Sequence, residues 1–263
     1  MLKDISVYIL TLNEEKSIKR CLAHLGCFAD VVVVDGGSTD KTLEIVSQFP
    51  QVRVFKNPWP GFVKQRVFAI SKTRNDWVLQ VDADEVANEK LCNEIVSLQL
   101  DANRIVGYLI PCQDYFYGRW IHHGDWYPQY HLRLFNKTKV SYDQQEIVHE
   151  KFIYDKGKTA DLTNPLLHFS HLTINHTLKT FMQYTDLEAR ILYKKMKQRT
   201  PLLLVVLMFY HMARQFFGRY FIKQGFRDGI HGLIIALLMS FYYFLIYAKL
   251  LVMNYRSNKT LRT

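Results

Sequence analysis

The chain has 263 residues, with 34 Lys and Arg against 24 Asp and Glu and a formal charge of +10, which is enough length for one α/β domain with an appendage. That charge is uneven: from Asp186 onward 13 bases face 3 acids, whereas residues 1–185 carry 21 of each, so the basic character belongs to the tail. No DNA or RNA module accompanies it, which argues against nucleic acid as a partner, and Cys21, Cys27, Cys92 and Cys112 form no Cys-x-x-Cys pair, which argues against a zinc cage or disulfide framework and for a reducing, cytoplasmic setting.

The first residues run directly into an apolar strand pattern, so no secretory signal is expected. Residues 5–10, 31–34, 52–55 and 77–81 are apolar and β-branched and predict strands. Between them, residues 14–25, 42–49 and 64–71 space their apolar positions by three or four and predict helices. The resulting β-α-β-α-β-α-β order predicts a parallel sheet with helices on both faces. Ligands gather at the carboxyl ends of such strands, and there the loops Thr11-Leu12-Asn13-Glu14, Asp35-Gly36-Gly37-Ser38 and Asp82-Ala83-Asp84-Glu85 converge on one rim. Residues 105–170 are rich in Tyr, Trp and His, with strand-like pieces at 106–111 and 131–135; an irregular acceptor region is expected there. A helical pattern starts at Leu178 and continues through 202–213 and 229–252. The expected division is a catalytic domain over 1–185 and a helical tail over 186–263.

Val81-Asp82-Ala83-Asp84-Glu85 places carboxylates directly after a buried strand. Strand alternation would put Asp82 and Asp84 on one side, where both reach a divalent cation and the diphosphate it carries; the alternative is a solvated turn with Asp84 or Asn88 capping the next helix. Asp35 ends its strand before two glycines, either accepting from a pyrimidine ring N–H or holding the turn. Asn13 is in the same position, as a ligand contact or as the cap of the first helix.

Three blocks then resemble glycosyltransferase family 2 in that family's order: Val7-Tyr8-Ile9-Leu10-Thr11-Leu12-Asn13-Glu14-Glu15, Val34-Asp35-Gly36-Gly37-Ser38-Thr39-Asp40 and Asp82-Ala83-Asp84-Glu85. Trp59-Pro60-Gly61-Phe62 with Lys64-Gln65-Arg66, the segment from Trp126 to Phe135, and Val148-His149-Glu150 resemble its lipopolysaccharide core β-glucosyltransferase branch. The resemblance implies a Rossmann-like GT-A fold, a UDP-sugar donor, Mg²⁺ or Mn²⁺, and inversion at the anomeric carbon. Carried over, Thr11, Leu12, Asn13, Glu14 and Asp35 line the uridine pocket, with Gln65 and Arg66 near the donor. Asp84 holds the metal, and Asp82 lies nearer the sugar or ribose. This chain departs from the pattern at Leu10 and Leu12, where many members have Pro and Tyr, and at Gly36, where a second Asp is common.

Inverting transfer needs a base opposite the leaving group. Glu150, in a block resembling the branch, is the first candidate, with Asp143 and Glu146 as alternatives. His168 or His149 would contact the metal or diphosphate, or serve as an ordinary hydrogen-bonded residue. Arg133 would bind an acceptor phosphate or the donor diphosphate, or be a strand-edge charge. Trp120, Trp126, Tyr127 and Tyr130 would offer a sugar-stacking surface, or serve the core.

In the tail, residues 229–248 hold no Asp, Glu, Lys or Arg, just enough for a crossing. Basic residues on both flanks give no orientation and fit an in-plane location. Arg219, Lys223 and Arg227 recur every four residues, a stripe suited to anionic headgroups, with Phe217 and Phe221 opposite. The expectation is a hexosyltransferase, moving a hexose, glucose by the resemblance, from a UDP-sugar to a heptose of a lipid-anchored oligosaccharide at the cytoplasmic face of a bacterial inner membrane. Another lipid-linked or capsular acceptor, or a non-catalytic membrane scaffold, is the alternative. A nucleotidyltransferase would need a glycine-rich loop after the first strand, which Thr11-Leu12-Asn13-Glu14-Glu15 does not provide.

Overall fold

The computed structural model describes residues 2–143, 151–171, 173–196 and 199–260. In chain order the regular elements are β1 (Leu2–Thr11), α1 (Ile18–Ala23), β2 (Phe28–Asp35), α2 (Thr42–Val46), β3 (Val52–Lys56), α3 (Phe62–Ser71), β4 (Trp77–Gln80), β5 (Glu85–Ala87) and α4 (Glu89–Val96). They are followed by β6 (Gly107–Phe116), β7 (Arg119–Trp120), β8 (Gln129–Asn136), β9 (Ser141–Tyr142), β10 (Phe152–Ile153), β11 (Thr159–Asp161), β12 (Leu166–His171), α5 (Ile174–Met196), α6 (Pro201–Phe217) and α7 (Ile230–Thr260).

The chain forms two compact units: residues 1–114 with 128–170, and residues 115–127 with 171–263. The expected boundary at 185/186 falls inside α5, which runs unbroken across it.

In the first unit the strand order begins β3-β2-β1-β4, all parallel, and continues through β8, β6 and β12 to β5, with β8 antiparallel to both β4 and β6. Successive β1 residues point to opposite faces: Ile5, Val7 and Ile9 enter one apolar cluster with Val31, Val33 and Leu79, while Tyr8 and Leu10 enter another with Val32, Val34 and Val78. Burial on both faces explains the unbroken apolar runs. Among the described residues of 105–170, the strand-like pieces at 106–111 and 131–135 correspond to β6 and β8, and five shorter strands appear where irregular structure is expected. Their Tyr, Trp and His side chains carry both apolar body and polar tip, which hides the period-two signal.

In the second unit α6 and α7 pack together, with Leu204 and Met208 buried against Tyr247 and Leu250. The expected basic stripe is not helical throughout. A π-turn at Gly218–Ile222 and a 3₁₀ turn at Gly225–Asp228 interrupt it. Arg219 donates to Gly124 O at 2.8 Å, Lys223 pairs with Asp125 at 3.2 Å, and Arg227 donates to Gln224 at 2.8 Å. Gly218 and Gly225, which disfavour continued helix, defeat the four-residue spacing.

Candidate active site

The first two loops are laced together by hydrogen bonds. Asn13 sits at φ 61°, a conformation Asn tolerates better than most residues. Its Oδ1 accepts from Thr39 N at 2.8 Å, and its own N–H donates to Ser38 Oγ at 2.9 Å. Asn13 therefore ties the second loop to the first instead of capping α1. Glu14 N donates to Thr42 Oγ1 at 2.7 Å, which removes residues 14–17 from the predicted first helix and delays α1 to Ile18. Asp35 is buried, with Oδ2 accepting from Gly37 N and Ser38 N at 2.9 Å and Oδ1 accepting from Thr11 Oγ1 at 3.2 Å. Its turn-holding role is thus built in. Leu12 is exposed on the rim.

Gly36 lies against an indole: a Cβ added there would sit 2.7 Å from Trp59 Cε3 and 3.4 Å from Thr11 O. The position where the family often carries a second Asp is filled by Trp59. Gln65 is buried and turned toward Asn57, accepting from its Nδ2 at 2.7 Å and donating to its carbonyl at 3.1 Å. It holds the loop before α3.

The fourth loop departs from simple strand alternation. Asp82 to Asp84 form a turn closed by Glu85 N donating to Asp82 O at 2.9 Å, and Asn88 caps α4 through Leu91 N at 2.9 Å. The two aspartates consequently face different partners. Asp82 takes Arg66 at 3.0 Å on one oxygen and Arg133 at 3.1 Å on the other, and Arg133 reaches the fully buried Glu85 at 2.5 Å. Burial alone would raise the Asp82 carboxyl, but the guanidinium charges of Arg66 and Arg133 outweigh it and hold the group well below the usual carboxylate range. Burial pushes Glu85 the other way, up to about 7, against the pull of Arg133. Behind the arginines, the Gln80 amide accepts from Arg66 Nη1 at 3.0 Å and donates to Tyr142 and Tyr8 at 2.6 and 2.8 Å. Arg66, Asp82 and Arg133 border a cleft of about 350 Å³ with Tyr130 and His131 in its wall.

Asp84 meets His168 instead: Oδ2 lies 3.3 Å from Nε2, and Asp114 holds Nδ1 at 2.6 Å. Burial opposes charge on this imidazole, but the hydrogen bonds to Asp114 and Asp84 overcome it and favour the protonated form. Register explains the meeting, because β12 pairs antiparallel with β5 and sets His168 opposite Glu85. Glu85, Cys112 and His168 offer ligand atoms within 4.8 Å of one another. Of these, Glu85 is committed to Arg133, and burial pushes the Cys112 thiol up to about 11. The residues that could hold Mg²⁺ or Mn²⁺ are therefore Asp84 and, once a cation displaces the proton between Nε2 and Asp84, His168, whose far nitrogen is fixed by Asp114. Asp82, whose oxygens face guanidiniums, fits less well.

Asp114 and Glu85 were not singled out as site residues in the sequence. Glu85 stood inside the acidic block, and Asp114 shares a strand face with Cys112, a spacing legible only once β6 is known. Asp143 follows β9, half-buried, with its N–H donating to Lys151 O at 2.7 Å. Glu146, His149 and Glu150 lie outside the described residues. Trp120 packs on Tyr127 with ring centroids 5.3 Å apart, and Trp126 packs on Phe116 at 6.2 Å, so these rings stack on their own unit.

Burial also raises Glu14, from 4.5 to about 7, against the Ser17 hydroxyl that donates to it; Asp84, Asp40 and Asp82 add repulsion. The first and fourth loops thus lie within electrostatic reach of each other. Because the folded value exceeds the unfolded one, the neutral carboxyl favours folding below 4.5, and that contribution is lost as pH rises through about 7. Glu14→Gln is expected to raise the thermal midpoint by a few degrees at about pH 8, with the gain vanishing near pH 5. A pH-independent difference in thermal scans would contradict the assignment.

Comparison with known proteins identifies the family. The glycosyl transferase family 2 model matches residues 6–154, over half of the chain. An uncharacterized glycosyltransferase of Rickettsia felis is 30% identical, over 95% of this chain and 90% of its own length. The lipopolysaccharide core biosynthesis glycosyltransferase LpsC of Rhizobium meliloti is 29% identical, over 94% of this chain and 91% of its own. Among solved structures, S. aureus TarS 1–349 in complex with UDP-GlcNAc aligns with a TM-score of 0.50 at 15% identity, covering 97% of this chain and 92% of that one, a likeness of fold. The chain is therefore a transferase with the GT-A fold and belongs to glycosyl transferase family 2.

Proposed function

We propose that this protein is an inverting hexosyltransferase that moves a hexose, glucose by the branch resemblance, from a UDP-sugar to a heptose of the lipopolysaccharide inner core. The work would be done at the cytoplasmic face of the inner membrane. The observation that carries the reaction class is the Asp84–His168 contact of 3.3 Å, anchored by Asp114. The similarity to LpsC, named for lipopolysaccharide core biosynthesis, supports the acceptor.

Asp84 and His168 would hold Mg²⁺ or Mn²⁺, which when bound offsets the charge of the departing diphosphate. The chain's own groups complete the donor site. Thr11, Asn13 and Asp35 shape the rim for the nucleoside, and Arg66 and Arg133 set positive charge beside Asp82, where an anionic group is stabilised by two fixed forks. Glu150 is the proposed base, with Asp143 as the second choice. The first unit with the neighbouring residues to 185 performs the chemistry, and the helical tail attaches to anionic lipid.

The test is transfer from a panel of UDP-hexoses to detergent-dispersed core oligosaccharide, with and without divalent metal. Glu150→Gln should abolish transfer yet leave UDP binding intact by calorimetry. Absence of transfer from every donor, together with failure to bind UDP and Mn²⁺, would leave only a scaffold role. For the tail, a protein soluble without detergent and indifferent to anionic vesicles would contradict attachment.

A further inference from the structure

We propose that the helical unit is monotopic: α6 lies in the plane of one leaflet with a single apolar stripe immersed, and α7 does not cross the bilayer. This rests on the membrane attachment proposed above and gives it a topology.

Length leaves crossing open. Pro201–Ile222 and Ile230–Tyr255 are 22 and 26 residues long, and their most apolar 18-residue stretches have mean hydropathies of 1.3 and 1.9. At about 1.5 Å per residue each could traverse a hydrocarbon layer of about 30 Å. The neighbours of α7 decide the matter. Along its first half, Ile234, Ile235, Leu238 and Met239 pack with Phe116, Ile121 and Trp126. That segment carries Arg119 and Asp125, together with His123, whose N–H donates to the buried Asp228 at 2.8 Å. Along its second half, Tyr242 donates to Glu188 at 2.8 Å, Lys249 pairs with Asp186 at 2.7 Å and donates to Thr185 at 2.8 Å, and Asn254 donates to Arg199 O at 3.0 Å. Packed helices lie about 8–10 Å apart. A crossing α7 would therefore draw the charges of α5 and of residues 115–127 into hydrocarbon, where each central charge is disfavoured by on the order of a hundredfold.

The opposite side is apolar. On α6, Leu202, Val206, Phe209 and Phe217 are 75, 56, 60 and 56% exposed, and their spacing places them on one helical face. Leu204 and Met208 point away from that face, into α7. Just beyond it Ile222 is 77% exposed. A stripe of this length backed by a charged layer matches a helix seated at the headgroup–acyl boundary. The excess of 13 bases over 3 acids from Asp186 onward suits anionic headgroups. The occupant is one leaflet of an anionic bilayer.

The test uses the full chain added to preformed, sealed liposomes of phosphatidylethanolamine and phosphatidylglycerol, in a Cys27→Ser background. Ile230→Cys and Tyr255→Cys mark the two ends of the apolar α7 segment, at positions 61 and 70% exposed. Both are expected to react fully with a membrane-impermeant maleimide before detergent is added. Protection of one end until the liposomes are dissolved would establish a crossing and overturn the proposal. Independently, V206D/F209D is expected to lower liposome co-flotation at least tenfold while transfer to detergent-dispersed acceptor is unchanged. Unchanged flotation would remove α6 from the leaflet. A wild-type chain that never floats, and sediments as a dimer that V206D/F209D dissociates, would assign the stripe to a second copy and sink the membrane attachment too. The transfer assay, run in detergent, judges the enzymatic reading separately.

Discussion

Replacing Asp84 by Asn is expected to lower hexose transfer by on the order of a thousandfold, the loss of several kcal/mol of charge stabilisation. The thermal midpoint should stay within a few degrees of the parent. The asymmetry follows from position. The Asp84 carboxylate faces His168 at 3.3 Å from a partly exposed turn, and its backbone carbonyl, which accepts from Phe169 N at 3.0 Å, is untouched by the change. Asn keeps the shape and removes the charge. The measurement is single-turnover transfer at saturating UDP-sugar with titrated Mn²⁺. Retention of more than about a tenth of the parental rate would displace Asp84 from the centre of the site. Asp82→Asn should behave differently, because Asp82 balances two guanidiniums and its loss disturbs the fold as well as the rate.

The second large effect concerns Arg133. Arg133→Ala should destabilise the protein by about 3–5 kcal/mol, because it leaves the fully buried Glu85 without its cation and the half-buried Asp82 with Arg66 alone. At about 2–4 °C per kcal/mol for a unit of this size, the midpoint falls on the order of ten degrees. Glu85→Gln combined with Arg133→Ala should recover part of that loss, since removing both charges leaves Glu85 no longer an uncompensated ion. Thermal unfolding of the two single variants and the double variant forms the cycle. Additive losses would show that the 2.5 Å contact contributes no coupling.

The parts of the fold with one strong period were legible in the sequence. β1, β2 and β4 match the apolar runs to within a few residues because both faces are buried, and β3 matches as a half-exposed strand at the sheet edge. Helices α6 and α7 were equally plain. Harder to see was where a local pattern yields to a distant partner. The start of α1 moves because Glu14 N finds Thr42, twenty-eight residues on. The basic stripe of the tail breaks because Arg219 finds Gly124, ninety-five residues back. The acidic block identified the right loop, but the separation of Asp82 from Asp84 depends on Arg66, Arg133 and His168 arriving from three other elements. No spacing within the block encodes that division. Asp114 was invisible for the same reason: only the adjacency of β6 and β12 in the sheet brings His168 to it.

The contact between Gly36 and Trp59 makes two distant positions interdependent. A side chain at 36 demands a smaller residue at 59, and shrinking the indole alone opens a gap beside the first two loops. A saturation library varied at both sites should therefore yield functional clones along a diagonal, bulky with minimal or minimal with bulky, and few off it.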